Sequence, residues 1–216
     1  MKKYAVEFIG TFFLVMTVGM TVIKTPAGVI PPLAIGSALM VMIFAGGHIS
    51  GGHFNPAVTL AIFLRGKIAA LDGLGYMVAQ ALAGLTAAGV VLTLKGGGVT
   101  GTGAGPVLPV FIAEFLFTFA LAWVVLNVAT AKGTSGNSFY GLAIGFTVLT
   151  GAFAVGSISG AAFNPAVVLG ATLLGLINPA MVVIYLAANF AGAAAAAGMF
   201  RLLNEEPPDE LTKLSE

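Results

Sequence analysis

The stretch HISGGHFNPAV, His48 to Val58, decides how this chain folds, because it returns as SISGAAFNPAV at Ser157 to Val167. The two agree at 8 of 11 positions, with an offset of 109 residues. The same offset carries Leu33-Ala34-Ile35-Gly36 onto Leu142-Ala143-Ile144-Gly145, and Tyr76, Ala79 and Gln80 onto Tyr185, Ala188 and Asn189. With a two-residue shift, Glu7-Phe8 falls on Glu114-Phe115. Self-similarity of this extent marks a duplicated unit, so residues 1–216 are read as one domain, with halves at about 4–95 and 109–203.

Composition places that unit in a membrane. Of 216 residues, 58% are hydrophobic and 8% charged, 9 Lys+Arg against 8 Asp+Glu. A soluble domain carries charge on about a quarter of its residues. A net charge of +1, with two Arg and seven scattered Lys, leaves nothing to grip nucleic acid. The absence of Cys and the presence of two His exclude disulfide scaffolds and thiol catalysis, leave His/Cys metal sites without ligands, and imply no cofactor. No Ser/His/Asp grouping, paired acid or metal cluster stands at catalytic spacing, so an enzyme is not expected.

A crossing needs about 20 apolar residues. The charge-free stretches predict six spanning helices near 4–23, 33–49, 70–94, 109–130, 138–157 and 178–203. Two segments beginning Asn-Pro-Ala, near 55–64 and 164–174, are too short to span. Six crossings put both termini on one face. Lys2, Lys3, Arg65, Lys67, Lys132, Arg201 and Lys213 share that face, while Lys24 and Lys95 lie opposite, so the termini are expected to be cytoplasmic in a plasma or inner membrane. Met1-Lys2-Lys3 ahead of an apolar run mimics a secretory signal, but no convincing cleavage site follows, and the segment is read as an uncleaved span. The Gly-rich stretch from Lys95 to Pro106 is expected to be a flexible external loop, and Asn204 to Glu216 a solvated tail.

Three spans per half force the second half into the bilayer upside down, so the two Asn-Pro-Ala segments enter from opposite faces. Non-spanning backbone survives at that depth only where protein buries it or it lines a watery cavity. Asn55 and Asn164 stand where helix N-caps belong, and Pro56 and Pro165 at the first helical position, where a missing N–H costs nothing. The segments are therefore read as half-helices meeting near the midplane, positive dipole ends inward, repelling cations. Each Asn can merely cap its helix or can also offer an N–H to a passing oxygen, and the inverted pairing favours the second.

At these residues the chain resembles an aquaporin, a major intrinsic protein of the water and glycerol channel family. The motifs that carry the resemblance are SGGHFNPAVT from Ser50 to Thr59, SGAAFNPAV from Ser159 to Val167, the two Glu-Phe openings, and Gly-Tyr-x-x-Ala-Gln from Gly75 to Gln80. The resemblance covers residues 4–203. It implies an all-α membrane fold of six tilted helices plus two re-entrant half-helices, Asn55-Pro56-Ala57 and Asn164-Pro165-Ala166 at the pore centre, a pore in each subunit, and a homotetramer in the lipid bilayer.

In the family an Arg usually follows the second Asn-Pro-Ala and forms a neck near the outer face. Here that position is Val167, and counting back along the family pattern gives Ile35, Ala152 and Ala161 as the other neck positions. A charge about 4 Å from a permeating cation is worth about 1 to 4 kcal/mol, so part of the family's outer cation barrier is missing. An apolar neck built of small residues is expected to be wider and less selective, and to dewet if it closes.

Glu7 and Glu114 would ordinarily suggest a proton relay, and their position near helix starts also permits snorkelling. In the family, such residues accept hydrogen bonds from the loops that carry the half-helices, and the repeat favours that supporting role. His48 and His53 flank the first loop and are expected to orient it or line its mouth, not to bind metal. The chain is therefore read as a passive channel for water, small uncharged solutes, or both, with polyols, ammonia, peroxide, carbon dioxide and undissociated metalloid acids as candidates. The alternatives are a secondary transporter built on broken helices, with Glu7 and Glu114 as the only coupling groups, and a non-conducting membrane-organising protein.

Overall fold

The computed structural model describes residues 1–24, 29–100, 103 and 105–204. Among these are eight α-helices: α1 (Lys2–Val22), α2 (Ile30–Ser50), α3 (Pro56–Leu64), α4 (Ala70–Lys95), α5 (Val107–Thr130), α6 (Tyr140–Ser159), α7 (Pro165–Leu173) and α8 (Val182–Leu203). Six are long and apolar enough to cross a bilayer; α3 and α7, of 9 residues each, are not. Helix α2 begins earlier than its sequence suggests. Pro31 and Pro32 sit inside its first turn, where their missing N–H groups have no intrahelical partner to lose. Near the other end, Asn178 caps a short 3₁₀ turn, Pro179–Met181, that leads into α8.

Packing follows the duplication. Helix α1 lies against α2 and α4, and α5 against α6 and α8, while α2 and α6 face one another across the pseudo-symmetry axis. The half-helices exchange partners: α3 packs on α8 as well as on α4, and α7 on α4 as well as on α8. In lipid there is little hydrophobic drive between helices, so close approach must supply the contact energy. Gly36 and Gly145 do this for α2 and α6. A Cβ on Gly36 would stand 2.8 Å from the Gly145 carbonyl, and one on Gly145 2.6 Å from the Gly36 carbonyl.

Contacts sort the ends of the bundle onto two faces. On one, Lys3 Nζ meets Asp72 Oδ2 at 2.6 Å, and Arg201 donates to the Leu64 carbonyl. On the other, Lys24 Nζ donates to the Lys95 carbonyl at 2.8 Å. The Gly-rich connection is not a free linker at its start, since Val99 N–H donates to the Leu174 carbonyl at 2.9 Å and fastens it to the end of α7. Residues 101, 102 and 104 of that connection, and the tail after Asn204 with Lys213, lie outside the described residues.

Candidate functional site

The half-helices begin at their asparagines. Asn55 Oδ1 accepts from the N–H groups of Ala57 (2.8 Å) and Val58 (3.4 Å), and Asn164 Oδ1 accepts from that of Ala166 (2.9 Å). The amide nitrogens then cross over. Asn55 Nδ2 donates to the Phe163 carbonyl and Asn164 Nδ2 to the Phe54 carbonyl, each at 2.9 Å. These reciprocal bonds hold the two N-termini against each other. Each carboxamide has a second N–H, and both side chains line the passage beside them.

The loops leading to the asparagines are shaped by left-handed backbone. Gly51 and Gly160 (φ 89° and 82°), Gly52 and Ala161 (64° and 56°), and Phe54 and Phe163 (49° and 47°) share it in pairs. Three of these six are not glycine, and such conformations persist only where surroundings over-determine them. Glu7 and Glu114, fully buried, supply the constraint. Glu7 accepts from His53 N–H (3.0 Å), Phe54 N–H (2.6 Å), Ser50 Oγ (2.7 Å) and Gln80 Nε2 (2.7 Å). Glu114 accepts from Ala162 N–H (3.0 Å), Phe163 N–H (2.8 Å) and Asn189 Nδ2 (2.9 Å). Tyr76 donates to the Ser50 carbonyl at 2.8 Å, and Tyr185 to that of Ser159. Both carboxylates point inward, away from the snorkelling position.

The passage is narrow, and its wall consists of repeat twins. At the 107-residue offset it takes Leu14 with Leu121 and Val18 with Val125. At the 109-residue offset it takes Ile35 with Ile144, Leu39 with Val148, Gly52 with Ala161, His53 with Ala162, Asn55 with Asn164, and Val58 with Val167. Val167, where the resemblance expects an Arg, is therefore the counterpart of Val58.

The structure brings Ile35, Ala161 and Val167 to the wall, but not Ala152, which is half-buried on α6. Val148, one turn nearer the termini face on the same helix, lines the passage as the twin of Leu39. His53 is buried on the wall, its Nδ1 3.1 Å from Thr59 Oγ1 and its ring 5.0 Å from that of Tyr76. His48 is exposed at the end of α2 and shares a separate outer cavity with Lys67, Lys132 and Tyr140. Among the described residues no group of three or more metal-binding side chains converges.

A bundle of six helices long and apolar enough to cross a membrane, broken by two facing half-helices beside a narrow opening, is the architecture of a channel. The chain matches the major intrinsic protein family over residues 1–197, and it belongs to that family. It is 38% identical over 207 residues to aquaporin NIP1-4 of Oryza sativa subsp. japonica, covering 91% of this chain and 75% of the rice protein. It is 35% identical over 216 residues to glycerol uptake facilitator protein-like 6 of Lactiplantibacillus plantarum, covering 95% of this chain and 100% of that one. Its fold matches the aquaglyceroporin from Plasmodium falciparum with a TM-score of 0.80 at 21% identity, over 94% and 96% of the two chains. The protein is thus an integral multi-pass membrane protein and a passive channel for water and small solutes.

Proposed function

We propose that the opening between α3 and α7 is the permeation path, and that it carries water and small uncharged solutes with weak discrimination by size. The observation that supports this reading is the reciprocal bonding of Asn55 and Asn164, which sets two donor groups at the centre of a wall that is aliphatic apart from His53 and the loop backbone. The dipoles of α3 and α7 oppose cations there. No side-chain cation lines the wall, so ion exclusion rests on these helix ends and on the cost of stripping water from an ion among aliphatic groups. Ile35, Ala152, Ala161 and Val167 form the neck on the face away from the termini. The basic residues concentrated on the termini face argue that this face is cytoplasmic, and the exposed apolar faces of the long helices suit lipid and a homotetramer of such channels.

Light scattering of proteoliposomes under water and glycerol gradients tests this reading. Wild-type protein should raise both permeabilities above those of protein-free vesicles. Val167→Arg should lower glycerol passage relative to water about tenfold, since filling the neck and adding a bound donor together cost about 1.4 kcal/mol or more. Unchanged discrimination would remove Val167 from the neck.

A further inference from the structure

The charges of this chain sit in two places. Of its 8 acidic residues, Glu7 and Glu114 are buried beneath the loops, and Asp72 accepts from Lys3 Nζ and Tyr4 Oη at 2.6 Å each. The other five, Glu205, Glu206, Asp209, Glu210 and Glu216, follow the end of α8 within residues 205–216, in company with one base, Lys213. Basic groups of the termini face gather elsewhere. The cavity that His48 shares with Lys67 and Lys132 lies between the end of α2 and the α5–α6 connection, and no described acidic residue lines it. A neighbouring cavity has Gly51, Lys67 and Thr130 in common with it and reaches His53 and Val125, which also line the passage. The described acidic residue on that second cavity is Asp72, which Lys3 already holds. The passage therefore opens to the termini face through a mouth of positive charge.

The acidic segment starts beside that mouth. Asn204 closes α8 with its Nδ2 on the Phe200 carbonyl at 3.1 Å. Arg65 stands over the Phe200 ring at 4.9 Å, and Arg201 donates to the Leu64 carbonyl. These contacts bind the end of α8 to the end of α3, and Lys67 follows Arg65 by two residues. The twelve residues 205–216 can extend to about 40 Å at most, about the length of α4, so the whole mouth is within their reach. A tether this short holds its charges near the mouth at an effective concentration of millimolar order. Four of the carboxylates crowd into residues 205–210, where they repel one another. Lysines facing them relieve that repulsion. Exposed ion pairs are individually weak and are screened beyond about 10 Å at 0.1 M salt, so a contact of this kind forms reversibly and weakens as salt rises.

We propose that residues 205–216 dock in the basic mouth of their own channel, carboxylates toward Lys67 and Lys132, and narrow the entrance from the termini face. The proposal rests on the permeation path put forward above. Its determinants are the acidic residues after α8 on one side and the two lysines on the other, none of which lines the passage between the half-helices.

The test uses the full chain in proteoliposomes and has two readouts. The first is contact. The chain contains no cysteine, so an introduced pair reports proximity without background. Ser135 lines the basic cavity, and Ser135→Cys with Leu211→Cys should form a disulfide within one polypeptide at low salt, and do so more slowly at high salt. Thr93→Cys, exposed on the opposite face, should not cross-link to Leu211→Cys. The second readout is water permeability by light scattering at low salt. Neutralising the segment with Glu205→Gln, Glu206→Gln, Asp209→Asn and Glu210→Gln should raise it about twofold, the scale of a tethered contact that is occupied about half the time. Lys67→Gln with Lys132→Gln should raise it as much, and all six changes together no further, since both sets remove one contact. A Ser135/Leu211 pair that links no faster than the Thr93 control, or links only between chains, overturns the docking. Cross-linking within the chain, with permeability indifferent to both sets of substitutions, overturns the narrowing. Permeability that exceeds the protein-free rate in no variant overturns the permeation path, whatever the cross-link shows.

Discussion

The two halves of the molecule surround one passage with nearly the same wall and hold that wall in place by different means. Along the opening, Leu14, Val18, Ile35 and Asn55 have identical twins in Leu121, Val125, Ile144 and Asn164. Behind the opening, resemblance fades. In the first half His53, Thr59 and Gln80 form a chain of hydrogen bonds ending on Glu7: His53 Nδ1 to Thr59 Oγ1 at 3.1 Å, Gln80 Nε2 to Thr59 Oγ1 at 3.1 Å, and Gln80 Nε2 to Glu7 at 2.7 Å. In the second half the corresponding residues are Ala162, Val168 and Asn189. Asn189 reaches Thr118 Oγ1 at 3.0 Å instead, and its Oδ1 is left without a partner among the described residues.

The phenylalanines that precede each Asn tell the same story. Space for the Phe54 ring comes from Gly10, whose missing side chain would collide with it. The twin of Gly10 is Phe117, which stacks on Phe163 at 5.4 Å, and room is made by Gly151 instead. The far ends of the half-helices also differ. That of α3 is fastened by Arg201 to the Leu64 carbonyl and by Arg65 over the Phe200 ring at 4.9 Å, whereas at that of α7 Val99 N–H donates to the Leu174 carbonyl. The lesson is that the groups a solute meets are fixed in kind, while the volume and polarity behind them need only sum correctly in each half.

Three experiments break or sharpen this comparison. The largest effect belongs to the carboxylates, where the halves are most alike. Replacing Glu7 or Glu114 by Ala strands two buried loop amides, one of them on a left-handed phenylalanine, and either change should cost at least about 3 kcal/mol. Thermal unfolding in detergent should show both variants lost to a similar degree; a mild effect in one half alone would mean that its loop is shaped by something else. Next come the glycines at the pseudo-symmetry axis. Gly36→Ala and Gly145→Ala each press a methyl against the partner's carbonyl, and each should destabilise by about 2 kcal/mol, again nearly equally.

The smallest effect separates the halves. Thr59→Val removes the hydroxyl that His53 and Gln80 share and should cost about 1 kcal/mol. The reverse change, Val168→Thr, puts a hydroxyl where Asn189 Oδ1 lacks a donor. It should be neutral or stabilising by about 0.5 kcal/mol, against the usual penalty for burying a hydroxyl. A melting temperature that falls as far for Val168→Thr as for Thr59→Val would show that the second half has no vacancy to fill.

Much of this was legible before the fold was known. The Asn-Pro-Ala pair, the caps, the six spans and the need for inversion all follow from residues whose local chemistry differs from their surroundings. The wall of the passage was harder to see. Leu14, Val18, Leu39, Leu121, Val125 and Val148 face the opening, while Ile9, Phe13, Val41, Leu116 and Phe153 on the same helices are exposed on the outer surface. All are apolar, so the contrast between polar and apolar faces that orients a helix in a soluble protein is missing. The repeat offset, which runs from helix to helix, pairs wall positions that spacing from the Asn-Pro-Ala segments does not reach, such as Leu39 on α2 with Val148 on α6.

By itself, the sequence determined that this chain is an inverted duplication in a membrane with two capped half-helices, since a proline after an asparagine, a buried carboxylate and a missing charge each carry a large local free energy wherever the chain goes. Only the tertiary structure decided which aliphatic side chains turn toward the passage and which toward the outer surface, and that the loop amides are spent on Glu7 and Glu114. Those choices depend on helix rotation and on small differences in packing shared among many residues, which no short stretch of sequence contains.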